Sequence, residues 1–332
     1  MCLLFARQQK LLSNYLYNTF GFLLLLLLSN KNISYSISLP SPAKKRRIPK
    51  TKKPFPSFAE PVGIAVNQKR SKIFVADSNN NRILVFKKVD GSLTFRKKWG
   101  TYGSDKGQLR YPSGIDVNPT IGKVYVADTY NHRIQKFKTN GGFIKKWGKD
   151  GNGNGQFTVP FGIAVNPTTG NVYVADSQNF RIQKFNKNGR FITKWDAGYV
   201  FGIAVDPKTG NLYATEINNN RIRKFTDDGV LIMEWGTRGS GNGEFDNPQD
   251  VAVDPITSDV YVADCGNNRI QKFTSDGVFI TTWGHFGIGD SEFNCPRGIV
   301  VYPNTNSVFV TDHHNNRIQE FDSSGTFVAK WG

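Results

Sequence analysis

The sequence predicts an all-β fold, a six-bladed β-propeller of four-stranded antiparallel blades, and two observations carry this prediction. A motif that reads VYVADTYNHRIQKF at residues 124–137 returns in five further copies. A Trp closes every copy, and the spacings between successive Trp residues are 48, 48, 40, 48 and 48. A period of about 40 to 50 residues made of short β-type runs is typical of propeller blades. The six residues are Trp99, Trp147, Trp195, Trp235, Trp283 and Trp331.

Each repeat predicts four strands in a fixed order. The first is a short apolar run, GIAV in three copies, as expected of a strand that is buried on both faces. The second, VYVAD, is rich in β-branched and aromatic residues, the third is RIQKF, and the fourth alternates, as in FITKW. Turn sequences such as NPTTG, Asn-rich loops and Gly-containing turns separate the strands. One blade cannot bury both of its faces alone, so a ring of blades is expected.

The pattern P-x-G-I-A-V, V-Y-V-A-D, N-x-R-I-Q-x-F resembles the NHL repeat, and the chain resembles a six-bladed NHL-repeat propeller over residues 59–332. It is similar to the NHL domains of tripartite-motif proteins and to the fold of the peptide-amidating lyase. Ring closure is expected from packing of the first blade against the sixth, with no strand exchanged, unless residues 56–60 add an edge strand. Fold alone does not fix function on such a scaffold.

A carboxylate and a guanidinium recur five residues apart, across the loop between the second and third strands. Such a pair can tie a tight loop through charge-assisted hydrogen bonds. Because it returns in every blade whereas an active site is needed only once, we interpret it as structural, and the six Trp residues as blade packing. In the fourth copy Glu216 replaces Asp and is expected to reach Arg221. The other pairs are Asp77 and Arg82, Asp128 and Arg133, Asp176 and Arg181, Asp264 and Arg269, and Asp312 and Arg317.

The loops between the second and third strands open at the same end as the connections to the next blade, and this loop face is the predicted binding face. The residue before each first strand should ring the central opening, which places Val62 and Ser113 there. Aromatic and amide side chains suit peptides, glycans or unpaired bases, although Asn is also a common turn residue. The connection after Trp195 is eight residues shorter than its equivalents, which predicts a notch between blades three and four. The candidate binding residues are Asn80, Tyr130, His132, Phe161, Phe180, Phe201, Asn219, Gln249, Asn267, Arg297, His313 and His314.

No catalytic constellation is predicted. The peptide-amidating lyase that the chain resembles uses a metal held by several His residues near the propeller axis, and zinc needs three or four ligands. None of the four His residues recurs at the axial position, so we expect no metal and no cofactor; a metal-dependent lyase of that type is kept as an alternative. The sequence shows no Ser nucleophile elbow, phosphate loop, or RING or B-box zinc module. The four are His132, His285, His313 and His314.

Two cysteines are expected on the loop face of adjacent blades. Cys265 follows the second strand of the fifth copy, and Cys295 precedes the first strand of the sixth. A disulfide and two free thiols are both open, because no distance follows from sequence. Cys2 would leave with a cleaved signal segment.

The amino-terminal region divides into two segments. Residues 1–38 resemble a secretory signal peptide or a membrane anchor, because basic residues precede a Leu-rich core. A membrane contact would use residues 11–28, whose polar interruptions argue against an anchor. Residues 39–58 form a basic, Pro-containing linker. Its run at 44–53 fits a processing site, a contact with anionic membrane or polyanion, a nuclear signal, or a solvated spacer.

Charge narrows the function classes only slightly. The chain carries 43 Lys and Arg against 26 Asp and Glu, but residues 1–53 hold 10 of the basic residues and none of the acidic ones. The remainder is only mildly basic, which is compatible with RNA binding without requiring it. We predict a non-catalytic recognition propeller that binds a protein, peptide or glycan and is secreted or membrane-anchored. The alternative is a cytoplasmic RNA-binding or ubiquitin-ligase-adaptor propeller.

Overall fold

The computed structural model describes residues 54–332, and these residues form six four-stranded sheets in which every strand pairs with its neighbours in sequence order. All pairs within the sheets are antiparallel, as the repeat predicts. Among the strands of residues 54–332, none is exchanged between the first and last blades. The all-β, six-bladed propeller predicted from the sequence is therefore confirmed.

The strands follow the repeat closely. Blades 1 and 2 contain β1 (Pro61–Asn67), β2 (Lys72–Asp77), β3 (Arg82–Val89), β4 (Ser92–Trp99), β5 (Pro112–Asn118), β6 (Lys123–Asp128), β7 (Arg133–Lys138) and β8 (Phe143–Trp147). Blades 3 and 4 contain β9 (Pro160–Val165), β10 (Val172–Asp176), β11 (Arg181–Phe185), β12 (Phe191–Asp196), β13 (Val200–Val205), β14 (Leu212–Glu216), β15 (Arg221–Phe225) and β16 (Leu231–Trp235).

Blade 5 contains β17 (Pro248–Val253), β18 (Val260–Asp264), β19 (Arg269–Phe273) and β20 (Phe279–Trp283). A two-residue parallel pair follows in the connection: β21 (His285–Phe286) and β22 (Glu292–Phe293). Blade 6 contains β23 (Pro296–Tyr302), β24 (Ser307–Asp312), β25 (Arg317–Phe321) and β26 (Phe327–Trp331). Three short 3-10 helices lie at Gln68–Arg70, Thr129–Asn131 and Ser177–Asn179. Within residues 54–332, no helix has the length and apolar character needed to cross a membrane.

The core is distributed between the blades. In the described residues, six clusters of buried apolar side chains each join two neighbouring blades. The second strands are buried along almost their whole length, and β10 along all of it, because neighbouring blades cover both of their sides. The outer fourth strands alternate half-buried and exposed residues, as in β20. Each blade is therefore stabilised by its two neighbours rather than by a core of its own.

The Trp that ends a fourth strand packs against a turn of the next blade. Gly141 has φ +83°, and a Cβ built there would lie 2.8 Å from the Trp99 ring. The same contact recurs between Gly189 and Trp147, at 2.7 Å. Glycine is required at this turn both by its left-handed backbone and by the close ring. The Trp residues thus act in blade packing.

The ring closes between blades 6 and 1 through side chains. Phe58 is buried in one cluster with Phe309 and Ile318 of blade 6, although it belongs to no strand. Thr311 Oγ1 donates a hydrogen bond to the carbonyl of Val62 at 2.8 Å. Packing, and not an added edge strand, therefore joins the two ends of the propeller.

The predicted signal or anchor segment, residues 1–38, lies outside the described residues. The same is true of the basic run 44–53 and of the membrane contact expected at residues 11–28.

Candidate functional site

In every blade except the fourth, the recurring guanidinium holds the segment that leads into its own blade. In blade 3, Arg181 Nε donates to Asp176 Oδ2 at 2.7 Å. Its two terminal nitrogens donate to the carbonyls of Asn152, Gly153 and Gln156 at 2.6, 2.9 and 3.0 Å. Asp176 is fully buried and Arg181 is 8% exposed. The cation is thus surrounded by main-chain acceptors of one loop, which suits a structural clamp better than a reactive group.

The clamp is repeated in the other blades that have a long connection. Arg133, Arg269 and Arg317 donate to the carbonyls of their own preceding loops in the same way. The Nε to carboxylate distances are 2.6 Å for Arg82 and Asp77, 2.6 Å for Arg133 and Asp128, 2.8 Å for Arg269 and Asp264, and 2.6 Å for Arg317 and Asp312.

Blade 4 departs because its connection is short. Arg221 Nε reaches Glu216 at 2.6 Å, as expected of the longer carboxylate. With no long loop to hold, the guanidinium turns its Nη1 to Glu234, at 2.5 Å. The Gln that bonds the loop carbonyl in blades 2, 3, 5 and 6 is replaced by Arg223. The sequence change and the shortened connection therefore occur together.

Four of the predicted binding residues serve this scaffold. The side-chain amides of Asn80, Asn219 and Asn267 donate to the carboxylate of their own blade at 3.0, 2.6 and 2.9 Å. His132 Nδ1 accepts the backbone N–H of Val159 at 3.2 Å, in the next blade. Their amides, and one ring nitrogen of His132, thus bond within the fold, and the binding role of these four residues stays a prediction.

The residues that the sequence places just before the first strands are the second residues of those strands in the structure, and they come together around one opening. This opening, the mouth, leads into a cavity of about 40 Å³. Arg297 Nη1 lies 3.4 Å from the hydroxyl of Tyr111, on a different blade. Within residues 54–332, Arg297 forms no ion pair with an acidic side chain, and its Nε has no hydrogen-bond partner. The mouth residues are Val62, Ser113, Phe161, Phe201, Gln249 and Arg297.

An aromatic row runs from the rim of the loop face to the mouth. Phe180 is 49% exposed, and its ring centroid lies 5.9 Å from that of Tyr199. Tyr199 contacts Phe201 edge to face at 5.4 Å, and Phe201 stacks on Phe161 at 4.0 Å. The row occupies the short connection between blades 3 and 4, where the sequence predicts a notch. Tyr199 was missed because only the residue directly before each predicted first strand was considered.

A second aromatic pair lies on blade 2. Tyr111 and Tyr130 stack at 5.1 Å, and Tyr130 is 45% exposed. Burial raises the pKa of Tyr111, so its phenol stays neutral, and its oxygen accepts a hydrogen bond from Arg297 Nη1. Sequence reasoning missed Tyr111, the residue directly before β5, because different residue types occupy this position in the other blades.

Two half-buried carboxyls lie near the mouth. Asp116 and Asp250, on opposite blades, line a cavity of about 170 Å³, and Asp250 also lines the mouth itself. Burial, which outweighs hydrogen bonds from backbone N–H groups, raises the pKa of each to about 7. Asp116 Oδ2 accepts from the N–H of Val165 at 2.7 Å, and Asp250 Oδ2 from that of Ile299 at 3.1 Å. Each carboxyl thus bridges the inner strands of two adjacent blades.

The two adjacent His residues lie at the junction that closes the ring. His313 is buried, and its Nδ1 lies 3.2 Å from the carbonyl of Pro61. Burial and the nearby Arg297 lower the pKa of His313 to about 3, so the ring is neutral. Its ring centroid lies 4.5 Å from that of exposed His314. Glu60 joins them from a position about 250 residues earlier, which no local pattern could reveal.

Cys265 and Cys295 form a disulfide between blades 5 and 6. Of the two arrangements that the sequence leaves open, the structure therefore has the covalent one.

Charge is distributed unevenly around the ring. Residues 59–195, which form blades 1 to 3, carry 23 Lys and Arg against 8 Asp and Glu. Residues 196–332 carry 10 against 18. The small net charge of the propeller thus combines a strongly basic half with an acidic half.

Comparison with known proteins identifies the repeats. Segments 58–86, 109–137, 157–185, 245–273 and 293–321 match the NHL repeat family, one segment in each blade except the fourth. Over 88 residues the chain is 36% identical to Protein brain tumor of Drosophila melanogaster. That stretch covers 26% of this chain and only 8% of the relative.

Two solved structures of different kinds share the fold. The streptogramin B lyase structure has a TM-score of 0.58 at 17% identity and covers 83% of both chains. A chain of the nidogen/laminin complex has a TM-score of 0.59 at 17% identity, over 78% of this chain and 92% of that chain. At such identities the likeness shows the fold alone. Together with the five repeat matches and the six sheets, it shows that this chain is an NHL-repeat six-bladed β-propeller.

Proposed function

We propose that this propeller is a non-catalytic recognition module that binds a protein partner across the mouth of its loop face. The partner presents a segment with a carboxylate and an aromatic or apolar side chain. The observation that carries the proposal is the juxtaposition, at one opening, of a continuous aromatic row and an Arg that has no acidic partner within residues 54–332.

Arg297 is the proposed carboxylate anchor. Its guanidinium is partly buried, and in the described residues it forms no ion pair with an acidic side chain. A planar guanidinium with free donors recognises a carboxylate in a bidentate geometry. Because the site is partly shielded from water, the interaction is screened less than one on an open surface.

The aromatic row is the proposed apolar anchor. Aromatic rings supply a large contact area at a small cost in side-chain entropy, and they dominate many protein interfaces. Phe180 lies at the exposed end and Phe161 at the mouth, so the row provides a continuous surface. The cavity behind the mouth is small, about 40 Å³, which favours a segment that lies across the opening over one that enters it.

Binding is favoured over catalysis because the recurring acid and base pairs are occupied by the main chain. Their guanidinium donors bond loop carbonyls, and their carboxylates accept from Arg, Asn and backbone groups. The lyase activity named for one structural neighbour is not assigned to this chain, because the two chains are only 17% identical.

We also propose that the propeller is secreted or displayed in the secretory system. The disulfide of Cys265 and Cys295 supports this, because such bonds persist in oxidising compartments. A reporter fused behind residues 1–58 should enter the secretory pathway. A reporter that stays in the cytosol or reaches the nucleus would instead favour the cytoplasmic RNA-binding or adaptor alternative.

A display experiment tests the binding proposal. A random peptide library is selected on the full chain and, in parallel, on Arg297→Gln and Phe201→Ala. The wild-type protein should enrich peptides that combine Asp, Glu or a free carboxyl terminus with an aromatic or apolar residue. Arg297→Gln should lose the acidic preference, and Phe201→Ala the aromatic one.

The matched control is Lys145→Gln, on an outer strand away from the mouth. This variant removes a positive charge but should enrich the same peptides as the wild-type protein. Enrichment of one common set by wild type, Arg297→Gln and Phe201→Ala would contradict the assignment of the mouth.

A further inference from the structure

Five of the six blade junctions in residues 54–332 share one contact whose chemistry varies; in the fourth blade the equivalent residue is Ile217. The residue that follows a second strand reaches the start of the next blade. Ser78 Oγ donates to the carbonyl of Pro112 at 2.6 Å, and Thr129 and Ser177 make the equivalent bonds at 2.8 and 2.6 Å. Between blades 5 and 6 the same position holds Cys265, which is bonded to Cys295.

At the junction of blades 6 and 1, the two positions of this disulfide hold His313 and Glu60. His313 follows β24 as Cys265 follows β18. Glu60 precedes Pro61 as Cys295 precedes Pro296, and both have a left-handed backbone, with φ 48° and 55°. The geometry that brings two sulfur atoms together at one junction therefore brings an imidazole and a carboxylate together at the other.

We propose that Glu60, His313 and His314 bind a divalent metal ion of the zinc class at the junction that closes the ring. One ligand atom from each residue lies within 4.8 Å of the others. Two imidazoles and one carboxylate form a donor set that suits zinc and related first-row metals. Three protein ligands leave a further coordination position open to water or to a carboxylate.

The ligands are oriented and available. His313 Nδ1 faces the carbonyl of Pro61 at 3.2 Å, an arrangement that fixes the tautomer and leaves Nε2 for the metal. Among the hydrogen bonds and ion pairs of residues 54–332, none uses the Glu60 carboxylate or the His314 ring. A metal would therefore bind without breaking an existing side-chain contact.

The surrounding charges also bear on the site. Arg297 is near His313 and opposes a cation there, whereas Glu60 supplies the compensating negative charge. Because Arg297 belongs to the mouth and is near His313, the three proposed ligands lie beside the proposed binding surface. The metal proposal stands without that surface, since its three ligands come from the ring junction alone.

Zinc titration of the full chain, after chelator treatment and dialysis, tests the site. The wild-type protein should bind one Zn²⁺, and its Tm should rise with Zn²⁺ concentration, because the ion binds the closed ring. Ca²⁺ and Mg²⁺, which prefer oxygen ligands, should leave Tm unchanged. Co²⁺ in place of Zn²⁺ should give the visible bands of nitrogen and oxygen coordination.

Two variants separate metal binding from folding. His314→Ala and Glu60→Gln should each weaken Zn²⁺ binding by at least about tenfold while leaving the Tm of the metal-free protein unchanged. His285→Ala is the matched control, because His285 is exposed and lies near the carboxylate of Glu292, at 3.4 Å. It should bind Zn²⁺ as the wild type does.

Three results would overturn the proposal. The first is a wild-type chain that binds no Zn²⁺, and the second is a His314→Ala variant that binds Zn²⁺ with the same affinity as the wild type. The third is a loss of Zn²⁺ affinity in His285→Ala as large as that in His314→Ala.

Discussion

The clamp of each blade is one Arg side chain, and its removal should destabilise the fold without altering ligand specificity. Arg181→Ala removes the cation paired with the buried Asp176 carboxylate and takes one hydrogen bond from each of three loop carbonyls. Breaking a buried pair of this kind costs about 3 to 5 kcal/mol. Denaturant unfolding should show this loss in the free energy of unfolding, with peptide selection unchanged in the folded fraction.

The control at the same repeat position is Arg221→Ala. The Arg221 side chain is 26% exposed, and it pairs with Glu216 and the half-exposed Glu234 instead of holding a loop. We expect a smaller loss, on the order of 1 kcal/mol. Equal losses for the two variants would show that the loop carbonyls contribute nothing to the clamp.

The half-buried carboxyls of Asp116 and Asp250 predict the pH dependence of stability. Their pKa is raised from 3.8 to about 7, so the folded protein holds their protons where the unfolded chain has released them. Stability from these groups is present in acid and is lost as the pH rises through about 7. Each carboxyl should contribute a loss of roughly 2 to 3 kcal/mol between pH 5 and pH 8.

Asp116→Asn tests this pH dependence, because the amide oxygen can still accept the N–H of Val165. The variant should be more stable than the wild type at pH 8 and should show a shallower decline between pH 5 and 8 in urea unfolding. An unchanged decline would mean that Asp116 is ionised in the folded protein throughout this range.

At the residue scale, the sequence predicts the contacts that recur in each blade, and it misses contacts between residues that are distant in the chain. Recurrence identifies Asp176 and Arg181 as a structural pair, because a contact needed in every blade is repeated in every blade. For Asn80, the structure shows an amide that bonds the carboxylate of its own blade, and its binding role stays a prediction. Glu60 lies close to His313 and His314, about 250 residues later in the chain, and no short sequence window contains these partners.

At the element scale, the strands follow directly from the apolar pattern and the turn residues. The short connection before β13 is also visible in the sequence. The effect of this short connection on blade 4 is not visible in the sequence. In other blades the connection supplies the carbonyls that accept from the clamp Arg. Without it, Arg221 and Arg223 lie near Glu216 and Glu234 instead. The fourth blade is therefore the one whose sequence departs most from the repeat.

The disulfide replaces a hydrogen bond between blades, and its loss should be measurable. Cys265 and Cys295 are 30 residues apart, and closing such a loop stabilises a fold by about 3 to 4 kcal/mol in the chain-entropy model. Cys265→Ser with Cys295→Ser should lower Tm, and dithiothreitol should lower the wild-type Tm but not that of the double variant. Equal sensitivity of the two proteins to the reductant would argue against the bond.

At the scale of the whole molecule, the ring distributes both stability and charge. Every blade is buried against two neighbours, so closure between blades 6 and 1 completes the core. The net charge of the chain does not reveal that blades 1 to 3 are basic and blades 4 to 6 acidic. Folding places these two sets of blades on opposite sides of the ring. Such a charge distribution orients an approaching partner.

The most direct test of the recognition account is the affinity of one selected peptide for three forms of the full chain. Removal of the guanidinium in Arg297→Gln should weaken binding by about 10- to 100-fold, as expected for a buried charge-assisted contact. Arg297→Lys should recover only part of the affinity, since an ammonium lacks the bidentate geometry. Lys145→Gln should bind as the wild type does. Equal affinities for Arg297→Gln and the wild-type protein would contradict a ligand site at the mouth.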